Sequence, residues 1–291
     1  METIQNPYLR LQVSCRGAEI QSLVDLSTNR ELIWQGDPAY WHRHSPLLFP
    51  IVGGMWNGRT SFGNKEYRIP KHGFMNDRSF NLAEHTDDCL RYVYASTEED
   101  RKLFPFDFTL EVIYTLHGKT LDVRYEVENC SYETMYFQIG GHPGFNLPEY
   151  RATDHVHGYA SFEGSPQSLL RAGDQGCTEP DRIEMPELEE NLLPLRDEMF
   201  AHDALIFDEA QINAVTLYDK KRAPFVKLRS EAPAFLLWRP YDSGASFLCI
   251  EPWYGLCDKQ HFEGPFEQRP YVNKALPGKR WSGGFTIDYL R

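Results

Sequence analysis

Apolar residues recur at every second position along much of this chain: Leu9, Leu11 and Val13; Leu90, Tyr92 and Tyr94; Phe108, Leu110, Val112, Tyr114 and Leu116; Leu121, Val123, Tyr125 and Val127. A period of two puts such residues on one face of an extended backbone, so each stretch predicts a half-buried strand. His117-Gly118-Lys119-Thr120 separates the last two, and Asn129-Cys130-Ser131 ends the second, which predicts an antiparallel meander. Helical periodicity is confined to Thr97 to Leu103 and Leu195 to Ala201, enough for a turn or two. Alternation returns in Ala214 to Tyr218, Phe225 to Leu228, Ala234 to Trp238 and Phe247 to Ile250. Between the two sets lies Ser165 to Arg196, polar and proline-containing, which has the composition of a linker. Because strands resume beyond it, and because the strand carboxylate Glu251 needs partners from the first half, it reads better as a long excursion from one domain. The expected architecture is all-β: one large antiparallel β-sandwich domain over residues 1–291, with few short helices.

Composition narrows the possible partners. The chain has 291 residues, 42 acidic against 30 basic, and a formal charge of -12, which argues against nucleic acid or an anionic membrane as partner and leaves small neutral ligands. The first residues lack a basic segment followed by an apolar one, and no run approaches the roughly 20 apolar residues of a membrane span, so the expected location is cytoplasmic. The six cysteines are scattered without CxxC spacing and read as reduced thiols. Nothing in the sequence bears on oligomeric state.

Three islands carry candidate chemistry. In FLCIEPW, alternation puts Phe247, Cys249 and Glu251 on one strand face, so a carboxylate ends an apolar strand. Burial without a cation raises the proton affinity of a carboxylate and tunes it toward general-base work near neutrality. In Gly140-Gly141-His142-Pro143-Gly144 the glycines allow close backbone approach and Pro143 restricts the histidine to extended geometry. An imidazole held at a fixed angle can donate a proton to a leaving oxygen and recover it. His72, followed by Gly73, and Asp203, at the mouth of an apolar strand, are further polar candidates. Each of these residues alone is commonly a turn or capping residue; their value lies in convergence. His42 with His44, and His155 with His157, have the i, i+2 spacing of some metal sites, but neither pair has a convincing third ligand, and no metal is expected. There is no G-x-S-x-G elbow, no G-x-x-x-x-G-K-[ST] loop and no G-x-G-x-x-G turn opening a helix.

The islands PLLFPIVG (Pro46 to Gly53), PKHGF (Pro70 to Phe74), GGHPGFN and IEPWYGLCD, in that order and with a closing PGKRWSGGFTIDY, resemble the aldose 1-epimerase (galactose mutarotase-like) family. The likeness is to the branch that includes hexose-6-phosphate 1-epimerases. It implies the galactose mutarotase-like supersandwich, a small-molecule sugar as ligand and no cofactor. It also implies roles: Glu251 as base on the anomeric hydroxyl, His142 as acid on the ring oxygen, and His72 and Asp203 on sugar oxygens. Arg78, Phe145 and Trp253 complete the candidate substrate contacts. Two arginines common in the branch are replaced, by Gly54 after P-x-V-G and by Asn76 after H-G-F, with Arg43, Arg59 and Arg78 as candidate substitutes. A phosphate dianion favours guanidinium contacts, so their loss favours a neutral hexose. A hexose-6-phosphate epimerase and a binding protein without turnover are the other readings.

Overall fold

The hairpin expected around Gly118 is the centre of a nine-stranded antiparallel sheet. Phe108–His117 and Thr120–Asn129 pair along their full length, with His117 opposite Thr120, leaving Gly118 and Lys119 as a two-residue turn. Gly118 takes φ 58°, in the left-handed region that a tight turn requires and a side chain disfavours. Around this hairpin the sheet order is Asn81–His85, Cys89–Ala95, the hairpin itself, Arg280–Tyr289, Pro224–Arg229, Ile212–Tyr218, Tyr159–Gly164 and Leu193–Pro194. This computed structural model describes residues 1–291.

The second layer is an eight-stranded antiparallel sheet: Thr178–Glu184, Ser168–Ala172, Leu205–Phe207, Ala234–Trp238, Phe247–Tyr254, Ile139–Gly141 and Leu47–Leu48, with Gly144–Asn146 also paired to Phe247–Tyr254. Its inner face meets the first sheet. Leu205, Phe207, Leu237, Leu248 and Ile250 join Leu110, Val112, Val123, Leu217 and Ile287 in a single apolar cluster that draws residues from Ile4 to Tyr289. Leu9–Val13 lies in a separate four-stranded sheet at the chain start. The architecture is the all-β antiparallel sandwich that alternation predicts.

The outer face of the eight-stranded sheet is buried too. Phe247 and Cys249 pack with Trp34 and Ala245, while Trp253 packs with Ala234, Leu236 and Ile206. A strand buried on both faces reads as a nearly continuous apolar run, which accounts for FLLW and FLCI in the second half of the chain. A concave apolar surface therefore sits under the loops on this side.

The segment Ser165 to Arg196 differs from its linker-like composition. It contains Ser168–Ala172 and Thr178–Glu184 at one edge of the eight-stranded sheet, and Leu193–Pro194 at one edge of the nine-stranded sheet. Edge strands bond to one neighbour and face water, so they need few apolar residues; most of Thr178–Glu184 is exposed. The helical pieces are as short as expected, Glu98–Arg101 with a Thr97/Asp100 capping box and a 3-10 turn at Asp197–Phe200. All six cysteines are free thiols, three of them buried.

Ile250 is wholly buried on the inner face. Ile250→Ala is expected to cost about 2–5 kcal/mol through lost burial and a residual cavity, read by denaturant unfolding.

Candidate active site

Glu251 and His142 meet because one strand carries the carboxylate and two short strands flank the imidazole. Ile139–Gly141 and Gly144–Asn146 both pair with Phe247–Tyr254, the first at Trp253 and Tyr254, the second from Phe247 to Cys249. His142 and Pro143 must bridge that gap opposite Ile250 and Glu251, and Ile250 N–H donates to the Pro143 carbonyl at 3.2 Å. The close approach needs glycine: a Cβ on Gly140 would press against the Trp253 ring and the Pro252 carbonyl. His142 Nε2 then lies 3.2 Å from Glu251 Oε1, with both side chains buried. The Trp41 ring stacks on His142 at 4.8 Å and 28°.

His72 approaches from the other side, its ring centroid 5.6 Å from that of His142. Its backbone is left-handed, φ 66°, followed by Gly73 at φ 76°, where a Cβ would run into the Phe49 carbonyl. His72 Nδ1 accepts from Gly53 N–H at 3.1 Å. The ring proton therefore resides on Nε2, which is left as a donor.

Burial dominates the electrostatics. It raises the Glu251 carboxyl well above the usual carboxylate range, with nearby Asp203 adding to the effect and Lys71 opposing it. It lowers His142 to about 3, with Lys71 contributing, and holds His72 well below an ordinary imidazole. The low-dielectric setting disfavours charge on either partner and so favours one proton shared between Glu251 and His142 over separate charges on the two.

The surrounding cleft has a volume of about 250 Å³. That is just below the roughly 300–1,000 Å³ of typical small-molecule sites and suits one small ring. Leu236, Ile206, Trp238 and Trp253 form apolar walls, with Trp41 over the histidine. Three buried polar atoms of the lining have no protein partner: Glu251 Oε2, His142 Nδ1 and Trp253 Nε1. Buried polar groups are rarely left unpaired except where a ligand or water completes them.

Of the residues singled out in the sequence, Glu251, His142, His72, Asp203 and Trp253 line this one cleft. Two do not. Phe145 is wholly buried in the inter-sheet core, because it pairs with Leu248 and shares that residue's inner face. Arg78 bonds the fully buried Asp100 at 2.8 Å and lies over Phe74, so its guanidinium is used structurally. Arg43 and Arg59 are likewise committed, to Asp77 at 2.9 Å and Glu66 at 3.2 Å. The three arginines do not converge on the cleft. Neither histidine pair lies on a strand; His155 is exposed while His157 is buried beside Asp197.

Gly54 has a physical reason to lack a side chain, since a Cβ there would collide with the Gln175 carbonyl. Asn76 does line the cleft. Sequence reasoning missed Lys71, Trp41 and Trp238. Lys71 stands inside PKHGF, directly before the singled-out histidine, and Trp238 follows from the register that sets Leu236 opposite Glu251. Trp41 lies in an irregular loop and had no periodic signal.

Comparison with known proteins agrees with this geometry. A family model described as aldose 1-epimerase matches residues 2–267. The chain belongs to the aldose 1-epimerase family. The family match ends before the Arg280–Tyr289 strand, although full-length relatives extend over it. A galactose mutarotase related enzyme from Lactobacillus acidophilus is 34% identical, with TM-score 0.91 over 100% of this chain and 97% of that one. A galactose mutarotase-like protein from Lactobacillus casei is 28% identical, with TM-score 0.93 and 100% of both chains covered. Protein LacX (plasmid) of Lactococcus lactis subsp. lactis is 29% identical over 299 residues, covering 99% of this chain and 98% of its own.

A carboxyl whose folded-state proton affinity is raised stabilises the fold below its unfolded pKa and loses that contribution as pH rises toward the folded value. Glu251→Gln removes the cost of protonating this carboxylate on folding, a cost that grows as pH rises above the unfolded pKa. The variant is expected to melt a few degrees higher than wild type, with a gain that is larger near about pH 8 than near about pH 5, as measured by calorimetry.

Proposed function

We propose that this family member is an aldose 1-epimerase that interconverts the α and β anomers of a hexose through Glu251 and His142. The observation that carries this is their 3.2 Å contact inside a buried cleft. The ring oxygen and the anomeric hydroxyl of a cyclic sugar are bonded to the same carbon. An acid and a base held side by side can therefore each reach one of them.

A bound hemiacetal biases where the shared proton rests. Its anomeric hydroxyl donates to the Glu251 carboxylate, and its ring oxygen accepts from His142 Nε2, so the ligand favours the arrangement with the proton on His142. Glu251 then takes the hydroxyl proton, the C1–O1 bond becomes a carbonyl, the bond from C1 to the ring oxygen breaks, and His142 protonates that oxygen. Rotation about C1–C2 presents the other carbonyl face. Reversal of the same transfers closes the other anomer, and the pair ends with the single proton it began with. The two side chains supply only proton transfers while the bond from C1 to the ring oxygen breaks and re-forms, and the reaction calls on no cofactor.

The remaining cleft residues bind and orient. His72 offers its Nε2–H to the ring or anomeric oxygen, in the tautomer fixed by Gly53 N–H. Asp203 accepts from sugar hydroxyls at the rim, and the indole faces of Trp238 and Trp253 cover the apolar C–H surfaces of a pyranose. Raised proton affinity makes Glu251 a stronger base than a solvated carboxylate, and lowered affinity makes protonated His142 a stronger acid than a free imidazolium.

Exchange NMR of anomer interconversion with glucose and galactose tests the proposal. Wild-type protein is expected to accelerate exchange, and Glu251→Gln to lower kcat by about 10²–10⁴. Equal rates for wild type and a folded variant would refute the assigned base.

A further inference from the structure

The cleft contains one cationic side chain, Lys71. Its position is built. A Cβ on Gly176, which has φ 69°, would fall 3.0 Å from Lys71 Cε and 3.2 Å from Nζ, so the Asp174–Gly176 turn lies directly along the lysine stem. The same turn places the Gln175 carbonyl against Gly54 and excludes a side chain there. One structural element thus removes a position for arginine and braces a lysine instead.

Lys71 Nζ faces Asp203 Oδ2 at 3.7 Å. That is longer than a hydrogen bond, so each group keeps capacity for a ligand. A hydroxyl can bridge the two from the cleft side, donating to the carboxylate and accepting from the ammonium. A carboxylate or a phosphate dianion cannot donate, and at this place it would meet the Asp203 charge. The rest of the cleft supplies no compensation, since His72 is neutral and Glu251 and His142 share one proton.

Resting on the epimerase reading of the same cleft, we infer that Lys71 and Asp203 form an ion-paired station that selects neutral hexoses and rejects anionic ones, with Asp203 as the discriminating charge. The cleft is then matched to an uncharged polyol because its own charges cancel. Lys71 contributes a hydrogen-bond donor to the sugar without making the site an anion binder.

Asp203→Asn isolates this idea. Asn tolerates the left-handed backbone at position 203, φ 68°, and the side chain is partly exposed, so folding is expected to survive. Binding by calorimetry and anomer exchange by NMR would be measured for galactose, glucose, their 6-phosphates and the corresponding hexuronates. Phosphate and carboxylate are separate arms. Wild type is expected to favour the neutral sugars, and Asp203→Asn to shift the ratio toward the anionic sugars by at least about tenfold, because Lys71 is left unpaired. Lys71→Met added to Asp203→Asn should cancel the shift. Wild-type preference for an anionic sugar, or Asp203→Asn weakening neutral sugars with no anionic gain, would overturn the inference. Absence of exchange in wild type with neutral binding intact would instead count against the epimerase reading, and the binding ratios would still decide the role of Asp203.

Discussion

Everything at the proposed site depends on holding a carboxyl and an imidazole together where both are almost wholly buried. In water the two would exchange protons with solvent at their ordinary affinities and exert little hold on each other. Burial pushes Glu251 up and His142 down, so the pair prefers neutrality and keeps one proton in common. A group that has been denied its charge by its surroundings moves a proton readily once a ligand offers partners. The fold bears a cost for this arrangement, since neither side chain has a full set of hydrogen bonds without a ligand.

The eight-stranded sheet makes that burial achievable. Its inner face joins the inter-sheet core, and its outer face is apolar as well, roofed by loops that carry Trp34, Trp41 and His72. A strand with one solvated face would have exposed Glu251. Because Leu248 and Ile250 anchor the strand inward, Cys249 and Glu251 are forced outward into the second apolar layer, and register sets Glu251 opposite Leu236. The interruption between Gly141 and Gly144 then supplies the only local departure needed to point His142 at the carboxylate. Family membership agrees with this construction, although the chemistry is argued from these residues.

Much of this was legible in the sequence for identifiable reasons. The Phe108–His117 and Thr120–Asn129 hairpin was visible because strict alternation and a glycine turn both act locally. The faces of FLCIEPW followed from the same period of two. Ser165 to Arg196 resisted, because an edge strand needs one hydrogen-bonding neighbour and little apolar surface, which composition cannot distinguish from a linker. Phe145 is expected among the substrate contacts, yet pairing with Leu248 turns it inward. Arg78 lies outside the site for a related reason: it is consumed by the buried Asp100, a partner 22 positions away. Long-range pairing of charges is set by tertiary structure and leaves no periodic trace. Lys71 went unread because its significance depends on the Asp174–Gly176 turn lying against it.

The shared proton is the central claim, and the pH dependence of kcat/KM for anomer exchange tests it most directly. Productive enzyme requires the pair to hold one proton. Activity should therefore stay level from neutrality down past the ordinary imidazole range, falling only as a second proton enters a pair whose histidine is lowered to about 3. On the alkaline side it should fall only well above the usual carboxylate range, where the common proton is lost. An acid limb centred near about 6.5, the value of an unperturbed histidine, would show that His142 titrates on its own and would contradict the account.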